Sequence, residues 1–537
     1  MAFRIAQDPD ALYAETEAGW TALHRAAPGR WNGGGVEIHL AAQGNNELLG
    51  ISLEAANVAV KAIRLRWNTR IDKRVSVLGD HWERAYGDLE WRGVVPERTM
   101  PWYFLVNDGT KTDGYGVKTG PNAFCFWQLD ADGVTLTADV RCGHVGVALG
   151  GRRLEVAVVV VREGREEETA FAAAKQLCAL MCDKPVMPRQ PVYGGNNWYY
   201  AYGDSSASKI LDDSRFMASL ASSADNRPYM VIDDGWQLTS SGDCKGGPWT
   251  GNSRFPDIAR LASEMKGIGV RPGIWLRPLM VSQRVPAEWK RYDSPPTGTV
   301  LDPSVPETLA YIAESVAQLV AAGYELVKHD FSTFDLLGQW GFQMKQSPNA
   351  LPHAFRDRSK TTAEITLDLY RTIAEASGDS AVIGCNTVSH LAAGLFEIQR
   401  TGDDTSGKAW ERTRYMGINT LAFRMAQHGT FYSHDADCIG ITPQVPWELN
   451  RQWLDLLAGS GTPLFVSADP AVVTKEQESA LKQAFELASR PLPLGEPLDW
   501  LETTCPARWR LNGEERRFDW HLQSLDTLRY QDSQWWA

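Results

Sequence analysis

Several features that mark common protein classes are scarce or missing in this sequence. Cysteine is sparse, at eight in 537 residues. Only Cys178 and Cys182 lie close together, so neither a disulfide framework nor zinc-ligand spacing is present, and buried free thiols are expected. The ten histidines form no His-Glu-x-x-His pair, which removes the usual zinc-hydrolase signature. There is no Gly-rich phosphate loop and no Gly-x-Ser-x-Gly elbow. No stretch approaches the roughly 18 apolar residues that cross a bilayer. Positive charge is in deficit, with 54 Lys and Arg against 66 Asp and Glu for a net charge of -12. Neither nucleic acid nor a membrane is therefore expected as a partner. The opening residues, Met1-Ala-Phe-Arg-Ile-Ala-Gln-Asp, carry charge where a secretory leader has its apolar core, which predicts a cytoplasmic protein. Internal repeats and low-complexity tracts are also lacking.

What is present is length, apolar content and tryptophan. At roughly 150 residues per domain the chain holds three or four units, or one large barrel with attachments. Its 43% hydrophobic and 22% charged residues suit a well-packed protein. Several of the 21 Trp stand beside Gly, Asn or Asp in loop-like text and offer flat apolar walls for a ring-shaped ligand.

The text changes character along the chain. Residues 1–185 read as strands, in runs such as Gly35-Val-Glu-Ile-His-Leu, Val58 to Trp67 and Arg153 to Val161, separated by turn residues. An antiparallel β-sandwich is the expected fold there, closed by a helix near Thr169 to Cys182. The Pro-rich stretch Asp183-Lys-Pro-Val-Met-Pro-Arg-Gln-Pro is a linker. Over residues 186–490 the rhythm becomes apolar strand, loop, amphipathic helix, which predicts a (β/α)8 TIM barrel. Eight strands are expected: Tyr193 to Tyr202, Tyr229 to Asp234, Val270 to Leu276, Leu326 to Asp330, Val382 to Asn386, Phe396 to Arg400, Gly429 to Ser433 and Pro463 to Val466. Helical periodicity covers Pro306 to Ala322, Thr361 to Ala376, Arg412 to Gln427 and Lys475 to Ser489. Residues 491–537 suggest a small C-terminal β appendage.

A barrel of this kind does its chemistry at the carboxyl ends of its strands, and these ends are acidic. The second strand ends in Asp233-Asp234-Gly-Trp236, the fourth in Lys328-His-Asp330, and the sixth leads into Arg400-Thr-Gly-Asp403-Asp404-Thr. Lys328, Arg277 and Arg400 can balance that charge, so a polyhydroxyl ligand fits without metal or cofactor. Asp330 and an acid after the sixth strand supply the nucleophile and proton donor of a retaining glycosidase. Lys328, two residues before Asp330, points to the same side of its strand and is expected to keep Asp330 ionised.

The set Val231-Ile-Asp-Asp-Gly-Trp-Gln237, Lys328-His-Asp330 and Arg400-Thr-Gly-Asp-Asp-Thr405, in this order, resembles the melibiase-type retaining α-galactosidases, most closely glycoside hydrolase family 36. The resemblance covers about residues 190–490 together with the N-terminal β-domain. It implies Asp330 as nucleophile and Asp404 or Asp403 as acid/base, with Arg400 four residues earlier favouring Asp404. It also implies Asp233 and Asp234 as partners of the sugar O4 and O6 hydroxyls, and Lys328 and Arg400 as contacts to ring hydroxyls. Trp198, Trp236, Trp275, Arg277, Cys385 and Asn386 are candidate walls of the sugar pocket that ordinary barrel packing would explain equally well. His434, Asp435, Asp437 and Cys438 read as a hydrogen-bonded cluster in preference to a metal site. Departures at Phe331-Ser-Thr-Phe-Asp335 and at Asn386-Thr-Val-Ser-His-Leu-Ala-Ala-Gly leave the leaving-group pocket unspecified.

The implied activity is hydrolysis of terminal α-galactosides. The same carboxylates would serve a raffinose-synthase-like galactosyl transfer, an α-N-acetylgalactosaminidase or a β-L-arabinopyranosidase. A carbohydrate-binding relative without turnover is the alternative of another class. Monomer and homo-oligomer both fit the sequence.

Overall fold

A computed structural model of the chain describes residues 3–44, 47–222, 225–239, 245–294 and 298–521. The first two residues, Cys244 and the last sixteen residues of the expected C-terminal appendage lie outside them. Seven cysteines fall among the described residues, and all are free, six of them buried.

The N-terminal part consists of two antiparallel sheets of six and eight strands. Its strands alternate or are buried on both faces, as in Val60–Asn68 and Leu154–Arg162, and both strands agree with the sequence reading to within a residue or two. Helix Ala170–Met181 lies against strand Thr112–Val117. There Gly114 and Gly116 leave room for Leu177 and Met181, whose atoms come within 2.8 Å and 2.5 Å of the Cβ that a larger residue would carry.

Downstream lies a curled, parallel nine-stranded sheet: β1 Tyr193–Asn196, β2 Tyr229–Ile232, β3 Arg271–Leu276, β4 Leu326–His329, β5 Ala381–Gly384, β6 Ile398–Arg400, β7 Ser433–Asp435, β8 Ile439–Ile441 and β9 Leu464–Ala468. Its spatial order runs from β7 back through β6, β5, β4, β3, β2 and β1 to β9 and β8. The two edge strands are thus neighbours in sequence, three residues apart. One face is packed by a separate cluster that includes Val231, Leu326, Ile383, Ile398 and Phe465. Helices alternate with the strands, and their ends carry sequence-encoded caps. Thr361 Oγ1 accepts from Glu364 N at 3.0 Å while Glu364 Oε2 accepts from Thr361 N at 2.8 Å, opening helix Thr362–Ser377.

Two strand expectations need correction. The first strand, expected from Tyr193 to Tyr202, ends at Asn196 and gives way to helix Trp198–Ala201. The strand expected at Gly429 to Ser433 begins only at Ser433, because Gly429 adopts φ +75° in a turn closed by its N–H to Tyr432 O. The apolar Phe431 and Tyr432 are core residues of that turn. The helix expected over Arg412 to Gln427 is present as one uninterrupted helical run over residues 410–427, within which a π turn and a closing 3-10 turn replace α geometry, a pattern that often accompanies functional sites. A five-stranded sheet, built from residues after β2 and β3, adds a layer that the sequence did not suggest, and strands 496–497, 508–511 and 514–517 form a small sheet at the C-terminal end. No helix among the described residues is long and apolar enough to cross a membrane.

Candidate active site

The residues at the carboxyl ends of β2 to β6 meet around a cavity of about 270 Å³. Register explains the meeting. Trp275 of β3 is paired with Lys328 of β4, so the two side chains emerge on one face, and Asp330 follows two residues later on that face. Gly235, at φ +117°, makes the turn after Asp233-Asp234, and a Cβ there would stand 2.6 Å from Gly203 O. A residue with a side chain would disturb both acids.

Asp233 is held on three sides. Its Oδ2 accepts from Lys328 Nζ at 2.6 Å and from Asn196 Nδ2 at 2.8 Å, and its own N–H donates to Asn197 Oδ1 at 2.8 Å. Burial works against the Lys328 ammonium, yet Asp233 holds its pKa well above the ordinary lysine value. Asp234 accepts from Gln237 Nε2 at 2.7 Å and lies 3.4 Å from Lys245 Nζ. Burial pushes its carboxyl upward against the pull of Lys245.

Asp330 Oδ2 accepts from Trp275 Nε1 at 3.0 Å, and Oδ1 accepts from Phe331 N at 2.7 Å. Phe331 adopts φ +64°, a strained conformation for an aromatic residue and one that concentrates at functional sites. Burial raises the Asp330 carboxyl; Lys328, Trp275 and Arg84 oppose that rise without reversing it. Lys328 is the foremost charge opposing that rise, and it acts through space because its ammonium bonds to Asp233.

Asp404 lies 3.1 Å from Arg400 Nη2 and 3.5 Å from Arg84 Nη1. Burial would raise its carboxyl, but Arg400, Arg84 and Arg412 together hold it well below the usual carboxylate range. Its neighbour Asp403 is clamped from both sides, by Arg84 Nη1 at 3.2 Å and Arg412 Nη2 at 2.8 Å. The Asp404 side chain is 40% exposed and that of Asp403 only 8%, so Asp404 is the acid more open to the cavity.

Of the residues singled out from the sequence, Asp233, Asp234, Lys328, Asp330, Asp403, Asp404, Trp198, Trp275 and Cys385 line the cavity. Four do not. Arg400 is buried beneath it, bridging Asp404 to Asp437, whose Oδ2 lies 3.0 Å away. Arg277 pairs with Asp335, Nη2 to Oδ1 at 2.6 Å, and stacks under Phe331 with 4.4 Å to the ring centroid. Trp236 is wholly buried and donates to Trp275 O at 3.0 Å. Asn386 turns away at φ +52° and donates to Glu83 Oε2 at 3.1 Å. In each case a buried polar group had to find a partner inside the protein, which took it out of the pocket. Around β7 and β8, Asp437 accepts from Tyr199 OH and from Thr405 N, the latter at 2.8 Å, and His434 Nδ1 bonds Thr401 Oγ1 at 2.6 Å.

Sequence reading missed Arg84 and Tyr86, which come from the β-sandwich, and Lys245, Phe331, Trp340 and Arg412. A signal for the first pair existed. Between strands Ser76–Gly79 and Met100–Pro101 runs a long stretch without regular structure, and loops longer than about 12–15 residues are usually functional.

No protein-family profile and no curated protein sequence matches this chain. Solved structures do. The α-galactosidase of Thermus thermophilus in complex with p-nitrophenyl α-D-galactopyranoside superposes with a TM-score of 0.61 at 17% identity, covering 95% of this chain and 99% of the other. The family 36 α-galactosidase AgaA of Geobacillus stearothermophilus gives 0.58 at 14% identity, over 88% and 74% of the two chains. An α-galactosidase from Lactobacillus brevis gives 0.56 at 12% identity, over 88% and 72%. This chain therefore has the fold of the glycoside hydrolase family 36 α-galactosidases.

Proposed function

We propose that the protein is a retaining α-galactosidase acting on terminal α-galactosides without a cofactor. The observation that carries this reading is that Asp330, at the end of β4, and Asp404, beyond the end of β6, line one cavity together with the Asp233, Asp234 and Lys328 cluster. That cluster presents charge-assisted donors and acceptors suited to sugar hydroxyls, and Trp198 and Trp275 supply flat faces. The solved neighbours include complexes of the Thermus enzyme with stachyose and of a Geobacillus variant with raffinose. In this reading the curled sheet is a (β/α)8 barrel whose seventh strand is split into β7 and β8, flanked by units at 1–185 and 491–537.

The reaction proceeds in two displacements. The Asp330 carboxylate attacks the anomeric carbon as the glycosidic C–O bond breaks, and Asp404 gives its proton to the departing oxygen. Water then attacks the same carbon, Asp404 takes its proton, and the ester to Asp330 is released. Burial raises Asp330, whereas Arg400, Arg84 and Arg412 hold Asp404 low. Asp403, fixed by two arginines, acts as a structural anchor.

Incubation with p-nitrophenyl α-galactoside tests the reading. Wild type should release nitrophenol, and Asp330→Gly should lose turnover and regain part of it in azide with β-galactosyl azide as product. No turnover by wild type, or full activity in Asp330→Gly, discards the assignment.

A further inference from the structure

The catalytic acids are reached by a segment from outside the curled sheet. Residues 80–86 leave the β-sandwich and join the end of β6 as if extending it: Ala85 N donates to Thr401 O at 2.7 Å, and Asp403 N donates to Ala85 O at 2.8 Å. Gly402 sits at this junction, and a Cβ there would stand 2.2 Å from Thr420 Oγ1. The segment is locked by Glu83, a fully buried carboxylate that accepts from Gly341 N at 2.9 Å, from Asn386 Nδ2 at 3.1 Å and from Tyr86 OH. Arg84 therefore arrives in a fixed place, with Nη1 3.2 Å from Asp403 and 3.5 Å from Asp404.

We propose that Arg84, supplied by the β-sandwich, is a positioning residue of the catalytic site that bridges Asp403 and Asp404 and thereby sets the orientation and proton affinity of the acid/base. The inference rests on the reading of Asp404 given above. Arg84 is one of several charges around that acid. Arg400 faces it from β6, Arg412 from helix Trp410–Thr413 and Lys328 from β4. Asp330, Tyr199 and Tyr202 also feel its charge. Among the four cations, only Arg84 comes from the sandwich, and it touches both acids of the pair. One nitrogen, Nη1, lies within ion-pair distance of both carboxylates, and the guanidinium stays charged at every pH at which they titrate.

The test is the pH dependence of kcat/KM on p-nitrophenyl α-galactoside for wild type, Arg84→Met and Arg84→Lys. An opposite charge within 4–6 Å lowers a carboxylate pKa by roughly 1 to 3 units. Losing Arg84 should raise both Asp404 and Asp330, so both limbs of the profile should move to higher pH, by about one unit for the limb governed by Asp404. A merely structural role would lower kcat and leave the limbs in place, and that result overturns the proposal. If the Met variant does not fold, Arg84→Lys decides: its limbs should move in the same direction by less, and unmoved limbs overturn the inference. Absence of wild-type turnover would sink the α-galactosidase reading itself, so the two failures are distinguishable.

Discussion

At the scale of single residues, environment assigns different work to similar carboxylates. Asp404 faces the cavity and Asp403 is pinned between Arg84 and Arg412. Asp404→Ala should therefore lower turnover of a poor-leaving-group substrate such as raffinose by roughly 10²–10⁴-fold, the usual worth of general acid–base catalysis. In azide it should yield α-galactosyl azide, visible by NMR. Asp403→Asn should produce no azide adduct, and an adduct there would transfer the acid role to Asp403. The Lys328 and Asp233 side chains are only 10% and 5% exposed, so removing one partner leaves a buried charge alone. Lys328→Met should cost about 3–5 kcal/mol in urea denaturation, besides weakening substrate binding.

At the scale of elements, the strand ends bring charged groups together and the loops decide which further residues line the cavity. The loop after β4 holds Phe331 in the left-handed region and swings Trp340 over the cavity, while Glu83 ties residues 80–86 to Gly341 and Asn386. Burial raises the Glu83 carboxyl, and Arg84 and the bonds it accepts pull the other way. Glu83→Ala strands several buried donors at about 1–3 kcal/mol for each unsatisfied group. We expect a loss of stability in denaturant together with an activity loss like that of the Arg84 variants. Glu83→Gln keeps the acceptor oxygen and should be milder; equal effects from the two would contradict this account. The helical run at residues 410–427 follows from apolar spacing that is helical throughout, but that spacing does not show the π turn inside it. Its π segment places Trp453 against Gly417, where a Cβ would stand 2.8 Å from the indole, and such close packing leaves no mark in residue periodicity.

For the whole molecule, the β-sandwich and the curled sheet share one hydrophobic cluster. They are also bound by buried polar links, including Arg424 to Asp80 at 2.8 Å and Gln427 Nε2 to Tyr103 OH at 2.9 Å. Scanning calorimetry should accordingly show the two parts unfolding together, in one transition; separate transitions would show that the shared core does not couple them.

By itself the sequence determined that antiparallel sheets precede a region of alternating parallel strands and helices, seven of the eight expected strands to within a few residues apart from the helical tail of the first, and the acids that meet at the cavity. Period-two and period-3.6 patterns and short strand-end motifs are local, and local order survives as text. Only the tertiary structure decided that Arg84 and Tyr86 join from more than 200 residues before Asp330, that Arg400, Arg277, Trp236 and Asn386 turn inward, and that Lys328 bonds Asp233. Those outcomes depend on which buried charges and donors find one another across distant segments. Desolvation makes such pairing obligatory, and no spacing along the chain records it.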